Sequence, residues 1–181
     1  MKATGIVRRI DDLGRVVIPK EIRRVLRIRE GDPLEIYTDR DGEVIFKKYS
    51  PIGELGAFAS SYAETLHKTC ELSVAICDRD AVIACAGIPK KEFTDKRLSS
   101  EIEQIMEGRA FFRASGDEPC ELAAGYSGSY TVSCAMPIIT EGDVVGCVVS
   151  MCEKSKCPSN SETEEKLVVS AASFLGKQLE S

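Results

Sequence analysis

Tryptophan is absent from the 181 residues, histidine occurs once, and aromatic side chains make up only 6% of the chain. The single histidine, His67, sits beside Lys68 with no acid or nucleophile at a useful spacing, so a histidine-centred catalytic site is not expected. No apolar run approaches the roughly 18 residues that a membrane-spanning helix needs. Met1 to Gly5 lacks the apolar stretch of a signal peptide, which leads to the expectation of a cytoplasmic protein with no membrane partner. Cysteine is missing from the first 69 residues, whereas eight cysteines (70, 77, 85, 120, 134, 147, 152, 157) follow. In a cytosolic chain of this length they are read as reduced thiols. Four residues separate Cys147 from Cys152 and Cys152 from Cys157. No tight Cys-x-x-Cys or histidine pair completes a zinc set, so neither metal nor cofactor is expected.

What is present is a strong asymmetry of charge. The overall value of −5 argues against a nucleic-acid partner only until the chain is divided. Residues 1–29 carry nine basic side chains (Lys2, Arg8, Arg9, Arg15, Lys20, Arg23, Arg24, Arg27, Arg29) against three acidic ones (Asp11, Asp12, Glu21), a charge of +6. The remaining 152 residues carry 15 basic and 26 acidic side chains, −11. A segregated basic segment on an acidic carrier is the footprint of a polyanion-binding arm.

Alternation predicts a strand over Thr4 to Ile10, and Asp11 to Gly14 supplies turn chemistry. Arg15 to Ile18 reads as a second strand. Pro19 then opens a helix over Lys20 to Arg27, with Ile22, Val25 and Leu26 inward and Arg23, Arg24 and Arg27 outward. Leu34 to Thr38 and Glu43 to Lys47 form a hairpin around the Asp41-Gly42 turn. Four short strands and a two-turn helix cannot bury enough apolar surface alone. A two-fold dimer would supply the missing core and double the basic charge to +12. A solvated charged face is the plainer reading of most charge runs, but the segregation of this cluster from the acidic remainder weighs against it here.

Thr4 to Arg8, Asp12 to Pro19 (Asp-Leu-Gly-Arg-Val-Val-Ile-Pro), Glu21 to Arg24 and Leu34 to Tyr37 resemble the AbrB-type swapped-hairpin DNA-binding domain. The resemblance covers roughly the first 50 residues. It implies an intertwined homodimer gripping double-stranded DNA, with Arg8, Arg15, Arg23 and Arg24 at the family's contact positions and Arg9 and Lys2 as auxiliary phosphate contacts. Similar hairpins also serve in antitoxins, which hold a toxin with a disordered tail; this chain continues for about 130 ordered-looking residues instead.

Tyr49 to Gly53 is the expected junction, giving domains 1–53 and 54–181. Beyond it come a helix with Leu55, Phe58, Ala59, Tyr62 and Leu66 on one stripe, and a hairpin of Leu72 to Cys77 with Ala81 to Ala86. Ser100 to Glu103 reads as a capping box, and residues 109–129 read as irregular. A second hairpin follows, with Tyr130, Val132, Cys134, Met136 and Ile138 expected on one face. A last helix carries Leu167, Val168, Ala171, Phe174, Leu175 and Leu179 inward. The fold class is therefore α+β: a swapped-hairpin β domain followed by an antiparallel sheet with flanking helices.

Ala135 to Ile138 (Ala-Met-Pro-Ile) followed by Gly142 to Val148 resembles the GAF domain, a module that often senses ligands. The Asn-Lys-Phe-Asp-Glu series of its cyclic-nucleotide-binding members is missing. Val74, Ile76, Val132 and Cys134 would line a ligand pocket or fill a core. Some GAF-fold proteins reduce free methionine sulfoxide with thiols, a role open in principle to Cys85, Cys120 and Cys134, although nothing nearby activates them. An AbrB-type arm on a GAF-like domain resembles a family of sporulation transcription regulators. That resemblance implies a nucleoid-associated activator and repressor without enzymatic activity. It also implies a homotetramer joined through helices of the GAF-like domains, with Leu55, Phe58 and Tyr62 and Leu167, Ala171 and Phe174 as the offered stripes.

Residues 1–53 expressed alone are expected to dimerise, because their core is too small for a folded monomer. Analytical sedimentation checks this; a folded monomer at micromolar concentration would remove the swapped-hairpin assignment.

Overall fold

A computed structural model describes residues 5–94, 96–114, 119–155 and 161–180. The chain divides into two compact units, Met1–Tyr49 and Ser50–Ser181. Ser50 caps the short helix α2 (Pro51–Glu54), its hydroxyl accepting from the Gly53 amide at 3.1 Å. Ile52 of that helix is fully buried in a core of the second unit.

In the first unit, helix α1 (Lys20–Leu26) precedes a hairpin of β1 (Leu34–Thr38) and β2 (Val44–Lys48), with Ile36 opposite Phe46. Gly42 takes the left-handed conformation (φ 83°) that the hairpin turn requires. Residues 5–18 differ from expectation. They form a turn at 12–14 but belong to no helix or ladder, so neither expected strand is present as a strand. The expected inward face of α1 is also absent: no residue of the helix is buried, and Val25 and Leu26 are 70% and 55% exposed. The physical reason is the same for both. Among residues 5–49 only Pro19 is buried, so the described part of this unit forms no core around these apolar side chains.

The second unit is built on a five-stranded antiparallel sheet in the order β4-β3-β7-β6-β5. Its strands are β3 (Val74–Cys77), β4 (Val82–Ala86), β5 (Phe112–Arg113), β6 (Tyr130–Thr140) and β7 (Asp143–Glu153). Against one face pack α3 (Gly56–Cys70), through Ala59, Ala63 and Leu66, and α6 (Glu162–Gln178), through Val168, Ala171, Ala172 and Leu175. Against the other pack α4 (Lys90–Phe93), α5 (Ser100–Gly108) and the stretch Cys120 to Tyr126. With helices on both faces, most of β6 and β7 is buried on both sides, as a covered sheet requires.

Three local readings change. The side chains of β6 do not keep one phase: Tyr130 and Val132 pack with α5, whereas Cys134, Met136 and Ile138 pack with α3 and α6. A register shift between Val132 and Cys134 against β7 is the cause, since one extra residue in a strand moves every later side chain to the other face. The cap of α5 is Ser99 rather than Ser100, its hydroxyl accepting from the Ile102 amide at 3.3 Å. Residues 109–129 include the strand β5 and four buried side chains, Cys120, Leu122, Ala123 and Tyr126.

Gly176 of α6 lies directly on β6, and a Cβ there would strike the Ile139 carbonyl oxygen. Gly176→Ala should force the helix off the sheet and lower stability by about 1–3 kcal/mol. Gly108→Ala, where a Cβ meets nothing within 4 Å, should instead be neutral or stabilising by up to ~1 kcal/mol. Thermal unfolding of the two variants beside the parent checks the contrast.

Candidate nucleic-acid interface

The basic residues of the first unit stand on three stretches. Arg8 and Arg9 lie in the segment before the turn, and both are exposed. Arg15 leaves the turn on its far side. Arg23 and Arg24 occupy the last turn of α1. Lys2 falls outside the described residues.

The turn is organised by Asp11. Its Oδ1 accepts from the amides of Leu13 (3.0 Å) and Arg15 (2.7 Å), and its Oδ2 accepts from Arg15 Nε at 2.8 Å. Gly14, with φ 76°, closes the turn by donating its amide to the Asp11 carbonyl. Bonds from the Arg15 amide and then from its guanidinium hold the Asp11 carboxyl below its ordinary value. Such a group contributes above the unfolded pKa and loses its contribution as pH falls through the folded one. The ion pair therefore persists at neutral pH.

Helix α1 ends in a Schellman arrangement. The Arg23 and Arg24 carbonyls accept from the Ile28 and Arg27 amides at 2.8 and 3.4 Å, with Arg27 in the left-handed region (φ 51°). The backbone beneath these two arginines is thus satisfied while their side chains face solvent. Lys48 has a structural task instead, donating to the Arg27 carbonyl at 2.9 Å and pairing with Asp32 at 3.4 Å. Sequence reading did not single out Asp11 as a partner of Arg15. The signal was there, an aspartate four residues ahead of an arginine across a Gly turn.

The second unit holds the chemistry considered as an alternative, and its geometry does not support it. Cys134 packs on the α3 and α6 face, whereas Cys120 and Cys85 pack on the α5 face, so the sheet separates Cys134 from the other two thiols. Burial, with nearby carboxylates, pushes Cys120 up to about 11 and Cys134 up to about 12, and burial raises Cys85 as well. All three are protonated at neutral pH. Cys134 and Cys147 are both buried as expected, but on opposite faces. Cys152, half-buried at the end of β7 and clear of the core, is disulfide-bonded, which corrects the reading of every cysteine as a reduced thiol. Val74, Ile76, Val132 and Cys134 are fully buried within the two cores. A pocket of about 200 Å³ lies instead against β4, lined by Ala81 to Cys85, Lys90 and Thr94. His67 ties its Nδ1 to the Leu72 carbonyl oxygen at 3.1 Å beyond the end of α3. Among the described residues no group of three or more potential ligands is placed to hold a metal ion, and no helix is long and apolar enough to cross a membrane.

The second unit has the GAF fold: the GAF domain of an Acinetobacter phosphoenolpyruvate-protein phosphotransferase superposes with a TM-score of 0.54 at 15% identity, over 69% of this chain and 81% of that one. Residues 7–53 match the family described as "Antidote-toxin recognition MazE, bacterial antitoxin". The transition state regulatory protein AbrB of Bacillus subtilis (strain 168) is 37% identical over 107 residues, 59% of this chain and 95% of its own. An AbrB-type arm on a GAF-fold unit defines a two-part transcription regulator, a class without enzymatic activity. Residues 54–180 match the family described as "Stage V sporulation protein T C-terminal, transcription factor". Stage V sporulation protein T of Bacillus subtilis (strain 168) is 54% identical over 183 residues, 99% of each chain. The chain belongs to the stage V sporulation protein T family.

Proposed function

We propose that this chain regulates sporulation genes by binding duplex DNA as an intertwined dimer, through Arg8, Arg15, Arg23 and Arg24, with Arg9 and Lys2 as auxiliary phosphate contacts. The observation that carries the reading is the first unit's surface. Ile6, Val7, Ile10, Leu13, Val16, Val17, Val25 and Leu26 are each between 41% and 85% exposed, in the same stretch that concentrates the positive charge. A second copy gives those side chains a core and the residues 5–18 a strand partner, and it presents two sets of arginines to one duplex. The work then divides between a DNA-binding domain over residues 1–53 and an oligomerisation domain over residues 54–181. The setting is the cytoplasm, at the nucleoid, and regulation runs in both directions. Transcript profiles of a deletion strain check the last point: genes moving one way only would reduce the protein to an activator or a repressor.

Two dimers join, in this reading, through the GAF-fold units of second copies. Phe58 and Tyr62 of α3 and Phe174 of α6 form a ring cluster with centroids 5.4–6.2 Å apart. Phe58 and Phe174 are 38% and 41% exposed. These rings belonged to the expected buried stripes, and their exposure supports a contact outside the unit. Phe174→Glu should convert tetramer to dimer in sedimentation of the full chain; an unchanged tetramer would move the contact elsewhere.

Eight arginines per dimer, each neutralising one phosphate, give a slope of log affinity against log salt of about −7. Arg15→Ala or Arg23→Ala should weaken binding to any duplex and flatten the slope by about two units per dimer. Lys91→Ala, an exposed cation of the second unit, serves as the control. Equal slopes for Lys91→Ala and Arg15→Ala would remove these arginines as the DNA site.

A further inference from the structure

We infer that Asp11 is a positioning residue for DNA recognition: it orients Arg15 and thereby sets how strongly the arm discriminates between sequences. The inference rests on the DNA-binding reading above and deepens it. An arginine on a solvent-exposed turn samples many rotamers, and ordering it on a base edge costs conformational freedom. Arg15 is 68% exposed over its side chain, yet its Nε is tied to Asp11 Oδ2 at 2.8 Å. The tether is itself anchored, because the other Asp11 oxygen accepts from two backbone amides of the turn. The carboxylate is thus fixed by the backbone, and the guanidinium is fixed by the carboxylate.

The geometry of the bond decides what remains available. Asp11 uses the Nε position, and the Nη groups have no partner among the described residues. These are the donors of the outer fork, which matches the two acceptors of a guanine edge or of a phosphate. A negative charge beside the duplex also repels phosphate. Asp11 should therefore weaken binding to arbitrary DNA while favouring those sites where the held fork meets its acceptors. An aspartate serving only the turn would use one oxygen; the second oxygen is what assigns the further role.

Asp11→Asn separates the two roles. Its amide oxygen still accepts from the Leu13 and Arg15 amides, so the turn is retained, but its NH2 now faces Nε and cannot accept from it. The test uses the full chain, a duplex selected by the parent protein from a random pool, and a scrambled duplex of equal length and composition. Asp11→Asn should lower the preference for the selected duplex roughly three- to tenfold, with scrambled affinity unchanged or raised and the salt slope unaltered. In an Arg15→Ala background the same substitution should do nothing to the preference. Arg15→Lys, which keeps the charge but loses the fork, should reproduce the Asp11→Asn result even if the latter folds poorly. An unchanged preference in Asp11→Asn and Arg15→Lys, or the same loss without Arg15, overturns the inference and leaves the DNA reading standing. An Arg15→Ala chain that binds both duplexes as the parent does removes the DNA reading, and this inference with it.

Discussion

Pairing of the two eleven-residue strands β6 and β7 is the interaction on which the second unit depends. Their ladder runs from Tyr130 opposite Glu153 to Thr140 opposite Asp143, and β7 is the middle strand of the five. Helices cover both faces, so the strands need apolar side chains on both faces. The bulge between Val132 and Cys134 distributes them, sending Val132 toward α5 and Ile138 toward α3 and α6. Gly146 belongs to the same constraint: a Cβ on it would strike the Cys77 carbonyl oxygen on the neighbouring strand. Close approach at that point requires hydrogen in place of a side chain.

The arm obeys the opposite constraint. It has a well-made turn, a properly terminated helix and a regular hairpin, but almost no interior. Local hydrogen bonds satisfy its backbone where they can, as at Asp11 and at the end of α1. They bury no apolar surface, and burial is what supplies most of the stability of a fold. The arm's valines and leucines face solvent while its local structure is in order, which is the observation behind the proposed dimer. In the proposed dimer the association and the DNA surface arise together, since the same short segments carry apolar side chains and arginines in alternation.

The second unit is rich in cysteine, and three of its thiols are enclosed in its cores. Cys77, Cys134 and Cys147 are fully buried, where a thiol behaves as a small hydrophobe. Desolvation raises all three, and the sheet keeps Cys134 apart from Cys120 and Cys85. Their role is packing within a GAF-type sheet.

The sequence by itself determined the two-part plan, the helices α1, α3, α5 and α6, both hairpins of the second unit, and the segregation of +6 from −11. These rest on short-range physics: periodicity, turn residues, caps and the sign of side-chain charge. By resemblance it also suggested the six proposed DNA-contacting residues. Tertiary structure decided what depends on distant neighbours. The phase change in β6 was invisible because Val132, Cys134 and Ile138 alternate correctly on paper; a bulge is set by the opposing strand. Phe58 and Phe174 read either as core or as a contact between copies, because an amphipathic stripe marks a covered face without saying whether the cover comes from the same chain; the fold leaves them 38% and 41% exposed. Leu122 and Tyr126 lay in a stretch without period, and only the sheet above them made them core. The segments around Arg8 and Arg15 alternate as strands do, yet a strand exists only with a partner, and among the described residues they join no ladder.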